Sequence, residues 1–426
     1  MDQRSALKTR GDLADGRQIA GVMRASPLTT AVSPNASVSI GAIVSDPAVL
    51  WAAVHTRAAE REATTVTDFT LEQVAIPPHL DHPDAADFIA TAEVRNAVEA
   101  DGYGTDELSA TPAELLPVWL DQEYEPKQLF AARVDGRIVA RAIFESRPSA
   151  EGDMAWVNAQ VHPQFRHRGI GTALADHLER LAAEQQRAKI VVYTVSRAAE
   201  GHRLESPTGF GSVPAANAEV RFLQGRGYRL EQVARTSRLA LPVSAALIDR
   251  RFGESTGRAG ADFQVHQWSG RTPDRWLDDM ALLFTRMSTD APKAGLEEPE
   301  DIWTRQRLID YEDRVEAGPK TCVVSVVEHL PSARLAGMTE LGVPAEPDRP
   351  VFQNDTIVLK EHRGHRLGML LKVANIQNLQ STAPGHPSII TFNAKENRHM
   401  LDVNDAVGFV SVGYEGAWKK VLAPPL

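Results

Sequence analysis

Only one cysteine, Cys322, occurs in the 426 residues, so no intramolecular disulfide can form and no cysteine cluster can hold a structural zinc. A reducing, cytoplasmic setting is the expectation. No run approaches the ~20 consecutive apolar residues that a membrane helix needs, and the early basic residues are not followed by an apolar signal segment. The chain is therefore expected to be soluble and unsecreted. It also lacks a basic surplus. With 46 basic against 56 acidic residues the net charge is -10, which argues against duplex nucleic acid or an anionic membrane as the main partner. What is present is ordinary globular material, 43% apolar and 24% charged, which excludes a collagen-like, mucin-like or wholly disordered chain. Since single cores stop growing near ~250 to 300 residues, this length predicts two units.

Residues 1–68 hold scattered Ser, Thr, Pro and Ala with short apolar runs, and read as a poorly ordered leader. From about Leu71 the pattern tightens. A helix is predicted near Asp84 to Glu99, then the strand pair Gln128 to Arg133 and Arg137 to Glu145, joined at Asp135-Gly136, a strong hairpin signal. A strand at Ala155 to Val161, the turn HPQFRHRGIG and a helix follow. In that helix Ile170, Ala173, Leu174, His177, Leu178, Leu181 and Ala182 form the stripe of a helix packed on a sheet. A strand at Ile190 to Val195 comes next. Residues 243–261, with GESTGRAGA, read as a linker. Beyond it the order recurs: helices at Asp274 to Thr285 and Glu300 to Glu316, strands at Thr321 to Glu328, Leu335 to Leu341 and Thr356 to Leu359, the turn EHRGHRLG, a helix with Leu367, Leu370, Leu371 and Ala374, and a strand at Ile389 to Asn393. Val161, Arg166 and Gly171 fall 197 residues before Val358, Arg363 and Gly368. One offset for all three marks a duplicated domain, far too long a period for a solenoid. The expected units are 69–242 and 262–426.

The repeated feature is a strand, then Arg-x-x-Gly-x-Gly or its variant, then a helix. Free backbone N–H groups at a helix N-terminus sit at the positive end of the helix dipole, so such a turn cradles anions. Glycine allows close approach of phosphate oxygens and arginine adds charge. The turn lacks the Gly-Lys-Ser/Thr ending of a nucleotide P-loop and the spacing of a dinucleotide fingerprint. His362 and His365 have no carboxylate or Cys at a helpful spacing, so no metal is expected. Cys322, inside an apolar run, reads as a small buried hydrophobe, and the tryptophans Trp268, Trp276, Trp303 and Trp418 as core.

The segment VHPQFRHRGIGTAL resembles the pyrophosphate-binding motif of the GNAT superfamily of N-acetyltransferases, and FLQGRGY its late segment. TIVLKEHRGHRLG and NAKENRHMLDVNDAVGF resemble the same blocks a second time, so the likeness covers about residues 69–426. The tandem arrangement is similar to that of the mycothiol synthase-like acetyltransferases. The resemblance implies an α/β (α+β) fold of two GNAT-like domains, each a mixed central sheet flanked by helices, with a splayed strand pair for acyl-CoA. It implies acetyl-CoA as co-substrate, held in the first copy by Val161, Arg166, His167, Arg168, Gly169, Ile170, Gly171, Thr172 and Asn217. In the second copy it implies Ile357, Val358, Arg363, Gly364, His365, Arg366, Leu367, Gly368 and Asn397.

The copies also depart from the family pattern. Lys360 stands where the pattern has Pro, and Arg366 where the first copy has Gly169. The tyrosine that the family often places four residues before the late Gly is Leu223 in one copy and Asn404 in the other. Asn397 lies eleven residues before Gly408, whereas Asn217 lies ten before Gly227, one out of register. The first copy carries 16 extra residues in RAAEGHRLESPTGFGSVPAA, either a lid or a surface loop. Glu340 and Asp355 in the second copy and Glu145 in the first are the candidate general bases, with Tyr414 and Tyr193 as replacement acids. The expected activity is transfer of an acetyl group to a primary amine of a small molecule, by a monomer or homodimer. The second copy is expected to be the catalytic one, on its better-placed carboxylates and Asn397, with the first, whose turn is more intact, kept as the other option. Non-catalytic acyl-CoA binding by one or both copies is the alternative.

Overall fold

The computed structural model describes residues 68–147 and 153–422; the expected leader lies almost wholly outside them. The first half contains β1 (Thr70–Val74), α1 (Ala85–Tyr103), α2 (Pro112–Leu120), β2 (Lys127–Val134), β3 (Arg137–Ser146), β4 (Met154–Val161), α3 (Ile170–Glu184), β5 (Lys189–Ser196), β6 (Arg203–Glu205), β7 (Ser212–Pro214), α4 (Ala218–Gly225) and β8 (Arg229–Ala240). After α5 (Ala245–Ala259) come β9 (Phe263–Ser269), α6 (Leu277–Asp290), α7 (Arg305–Ala317), β10 (Lys320–His329), β11 (Arg334–Pro344), β12 (Val351–Val358), α8 (Leu367–Thr382), β13 (Ser388–Ala394), α9 (Arg398–Val407) and β14 (Val410–Val421).

Local chemistry sets several of these elements. Asp135 and Gly136 both take positive φ, 49° and 78°, the paired left-handed residues that close a two-residue hairpin between β2 and β3. Thr111 and Glu114 form a capping box that starts α2. The expected linker is instead the helix α5, which buries Ile248, Ser255 and Ala259 and packs on α8. Its Gly, Ser and Thr residues weaken it locally, and tertiary burial holds it. The 16 extra residues of the first copy include the small β6–β7 hairpin.

Twelve strands join in one sheet, in the order β1-β2-β3-β4-β5-β14-β8-β13-β12-β11-β10-β9. The halves exchange their last strands. β14, from the second half, pairs antiparallel with β5 and β8, while β8, from the first half, pairs with β13. Trp418 on β14 is accordingly buried in the first-half core with Leu174, Phe222 and Leu230. One face of β1–β3 is covered by α1 and α2 and the other by α3 and α4. β10 and β11 are covered by α6 and α7 on one side and by α5 and α8 on the other.

Both halves contain the expected splay. The parallel pairing of β4 with β5 ends at Trp156↔Val191, although β4 continues to Val161. That of β12 with β13 ends at Phe352↔Ile390, although β12 continues to Val358. Beyond those points the backbone groups of β4 and β12 that face the parallel neighbour have no partner in it. The β3–β4 ladder runs unbroken, whereas the β11–β12 register slips, leaving Asn354 and Asp355 opposite Glu340 alone, a bulge present only in the second half.

Strand exchange predicts one cooperative unfolding transition for residues 68–422, with calorimetry and circular dichroism coincident; two separable transitions would contradict it. Trp418→Ala, a change in the second half, should cost about 3–5 kcal/mol in denaturant titration through loss of first-half core packing.

Candidate functional site

The two turns are built alike. Arg166 donates from Nε to the Val161 carbonyl at 3.2 Å and from Nη1 to Asp101 Oδ2 at 2.6 Å. Arg363 donates from Nε to the Val358 carbonyl at 3.1 Å and from Nη2 to Asp290 Oδ2 at 2.7 Å. Each arginine clips the turn to the end of its strand, and each aspartate lies near the C-terminal end of a helix, Asp101 on α1 and Asp290 on α6. Both turns use two left-handed residues: His167 and Gly169 at φ 63° and 81°, and Gly364 and Arg366 at φ 89° and 57°. Each copy thus keeps one glycine and tolerates one side chain, in opposite order. A Cβ at Gly169 or at Gly364 meets nothing within 4 Å, so sterics of the backbone, not space, select glycine there. Gly169 and Arg366 are the residues from which α3 and α8 start, so Ile170, Gly171 and Thr172, like Leu367 and Gly368, lie in the first helical turn where N–H groups are unpaired.

Arg168 lies over the Phe165 ring at 5.0 Å. Around the second turn a cleft of about 270 Å³ is lined by Arg258, Val358, Arg363, Gly364, Arg366, Leu367, Gly368 and His399. Arg258 comes from α5, which is why a reading of 243–261 as linker missed it. His365 and His362 pack against Phe263 at 5.1 and 5.7 Å. Among the described residues no group of three or more His, Cys, Asp or Glu is placed to hold a metal ion.

Between the splayed strands the halves differ. The first has an apolar cavity of about 30 Å³ whose lining includes Val157, Ala159, Ala175, Leu178, Val192, Leu223 and Tyr228. At the position of Ala175 the second half has Lys372, and at that of Tyr228 it has Phe409. Lys372 is 1% exposed, its Nζ has no hydrogen-bond partner, and it lies 5.4 Å from the Phe409 ring centroid. Burial alone lowers its pKa to about 7.

Asn217 and Asn397 both cap the helix after the parallel strand, so the one-residue slip in spacing disappears in space. Asn217 spends its amide on Ser196, Arg197 and Glu219, whereas Asn397 accepts from Met400 N–H and its Nδ2 is buried without a partner. Ile357 is wholly buried in the core beneath α6.

The candidate acids and bases are not brought together. Glu340 is buried beside Tyr311 and Asn354, each donating to Oε1 at 2.7 Å, and burial raises its pKa against those bonds. Asp355 is fully buried in the bulge. Glu145 faces Lys127 and Arg147, both at 3.8 Å, with its pKa raised by burial and lowered by Lys127. Tyr193 donates to Glu298 at 2.9 Å, and burial drives its pKa well up. Tyr414 rides on the exchanged β14 beside Ser196 and Arg235, with two strands between it and β12. A different carboxylate reaches the splay. Glu99 on α1 is buried and accepts from Gln160 Nε2 at 3.2 Å, on the stretch of β4 beyond its pairing with β5. Nearby, Tyr103 donates to Glu415 of β14 and contacts Thr236 at 3.3 Å. Glu99 carries no motif around it, and Glu415 arrives only through the strand exchange, so sequence spacing signals neither.

With this geometry in hand, residues 97–203 match the model of the acetyltransferase (GNAT) family. No curated protein matches the chain. Among solved structures, it is similar to a tandem GNAT protein from the clavulanic acid biosynthesis pathway, at 20% identity and TM-score 0.63, over 84% of this chain and 100% of the other. It is also similar to a GCN5-related N-acetyltransferase from Sphaerobacter thermophilus, at 15% identity and TM-score 0.53, over 84% and 97%. The chain is thus similar to the GNAT acetyltransferase family over residues 97–203 and has the fold of the tandem GNAT proteins. The family uses acetyl-CoA as co-substrate.

Arg366→Gly relieves a left-handed side chain while removing a cleft charge, so it should raise stability by up to ~1 kcal/mol and weaken CoA binding in calorimetry. Lys372 is neutral in the fold and charged when unfolded between pH about 7 and its ordinary 10.5, so its cost to stability is full below 7 and fades as pH rises through that window. Lys372→Met should therefore stabilise the protein most at and below neutral pH, with the gain shrinking toward pH ~10.5 in denaturant titrations.

Proposed function

We propose that the protein is an acyl-CoA-dependent N-acyltransferase that passes an acetyl group directly from acetyl-CoA to a primary amine of a small molecule. Its two units are residues 69–242 and 262–426, each with an acyl-CoA site, and transfer takes place in the first. The observation that carries this reading is the duplicated arginine-clipped, left-handed turn that presents a helix N-terminus at the mouth of a splayed strand pair.

In the first half, N–H groups of the turn and first turn of α3 would bind the pyrophosphate, with Arg168 adding charge. The apolar faces of Ala159 and Ala175, beyond the β4–β5 pairing, would line the cofactor's arm once the strands part around it. β4 groups beyond Trp156 are oriented toward the gap, where an N–H polarises the acyl carbonyl and stabilises the oxyanion. Glu99, beside Gln160, would take the proton of the incoming ammonium. A site of this kind would hold amine and thioester together, which in well-oriented systems contributes up to ~7 to 11 kcal/mol. In the second half Glu340 is held by Tyr311 and Asn354 and the slot wall bears Lys372, which favours a binding module there over a second transfer centre.

Calorimetric titration with CoA and a thiol-release assay on a panel of amines test the reading. Glu99→Gln should lower kcat about 10²- to 10⁴-fold with KM for acetyl-CoA little changed. Gly169→Glu should abolish turnover and Gly368→Glu should not. Full activity in Glu99→Gln, or the reverse response of the two glycine variants, removes the first-half assignment.

A further inference from the structure

The second half holds a buried nucleophile that the reading above does not use. Lys372 occupies the wall position held by Ala175 in the first half, and the ring it approaches, Phe409, replaces Tyr228, another wall residue there. Lys372 therefore stands on the face of α8 that corresponds to the cavity wall of the first half, with Nζ buried and turned to Phe409. Other wall groups are also short of partners. Asn404, in the place of Leu223, gives Nδ2 to Asn393 at 2.6 Å and keeps Oδ1 unpaired, and Asn397 Nδ2 at the head of α9 is unpaired as well. Buried polar atoms left unsatisfied on α8 and α9 suit a ligand with amide groups of its own. The cleft with Arg258, Arg363 and Arg366 lies at the start of α8, four residues before Lys372 and so one helical turn away.

We infer that Lys372 is itself an acyl acceptor, modified by the acyl-CoA that the second half binds. The inference rests on the acyl-CoA reading above. A buried lysine with no anion beside it is unprotonated for much of the time near neutral pH, the state in which an amine attacks. Nζ attacks the thioester carbonyl carbon. The N–C bond forms as the C–S bond breaks, CoA departs as its thiolate, and the proton lost from nitrogen passes to that sulfur to give the free thiol. The product is a neutral amide on a longer side chain, still in the slot, so the reaction occurs once per chain and fills the passage it used.

The test uses the full-length protein with acetyl-CoA and no amine acceptor. Peptide mapping by mass spectrometry locates acetyl-lysine, released thiol is counted, and CoA binding is followed by calorimetry in parallel. The expected result is one acetyl group on Lys372, formed ahead of any on the exposed Lys360 of the neighbouring turn, with one thiol released per chain. Label and thiol should both be lost in Lys372→Met and in Arg363→Glu. Mapping on the unaltered protein keeps the test valid if either variant folds poorly. CoA binding that depends on Arg363, with Lys372 unmodified, overturns the inference and leaves the acyltransferase reading standing; label on exposed lysines alone does the same. Absence of any CoA binding overturns both.

Discussion

The exchange of last strands between halves is the constraint on which the rest depends. A parallel pair that splays leaves one strand in need of a partner on its other edge, and in each half that partner comes from the other. β5 would be an open edge without β14, and β13 without β8. Because β5 and β13 are the outer members of the splayed pairs, each slot depends on a strand encoded in the opposite repeat. Trp418 fills the first-half core and Glu415 faces Tyr103 for the same reason. The two repeats are thus one sheet with two openings.

Within that frame the copies have diverged at the slot walls more than at the turns. Arg166 and Arg363 make matching bonds, and the left-handed positions survive even though glycine and side chain have traded places. The first slot is walled by Ala159, Ala175 and Leu223; the second has Thr356, Lys372 and Asn404 at the corresponding places. Anion capture by backbone groups tolerates many sequences so long as the dihedral angles hold. The wall chemistry is free to specialise.

The features legible in the sequence were those fixed by neighbours along the chain: the Asp135-Gly136 hairpin, the amphipathic α3, and the turns with their common offset. The features that were not legible are set by partners far away in sequence. α5 has poor intrinsic helix propensity and exists because α8 covers it, which hid Arg258. Tyr414 belongs to the second repeat in sequence, yet β14 carries it to β5 and β8 of the first half. Glu99 lacks a local signature; only the packing of α1 over β4 brings it to Gln160. Asn217 looked out of register because residue counts ignore where a helix begins.

The position of β14 also orders events during synthesis. β5 and β8 emerge from the ribosome long before residues 410–421, and the gap between them can close only after nearly all of the second repeat has been made. Until then the nascent first half presents two unpaired strand edges, the kind of surface on which chains mispair. A fold that waits for its last strand couples completion of the first half to completion of the polypeptide, and makes the time between them a period in which chaperones matter.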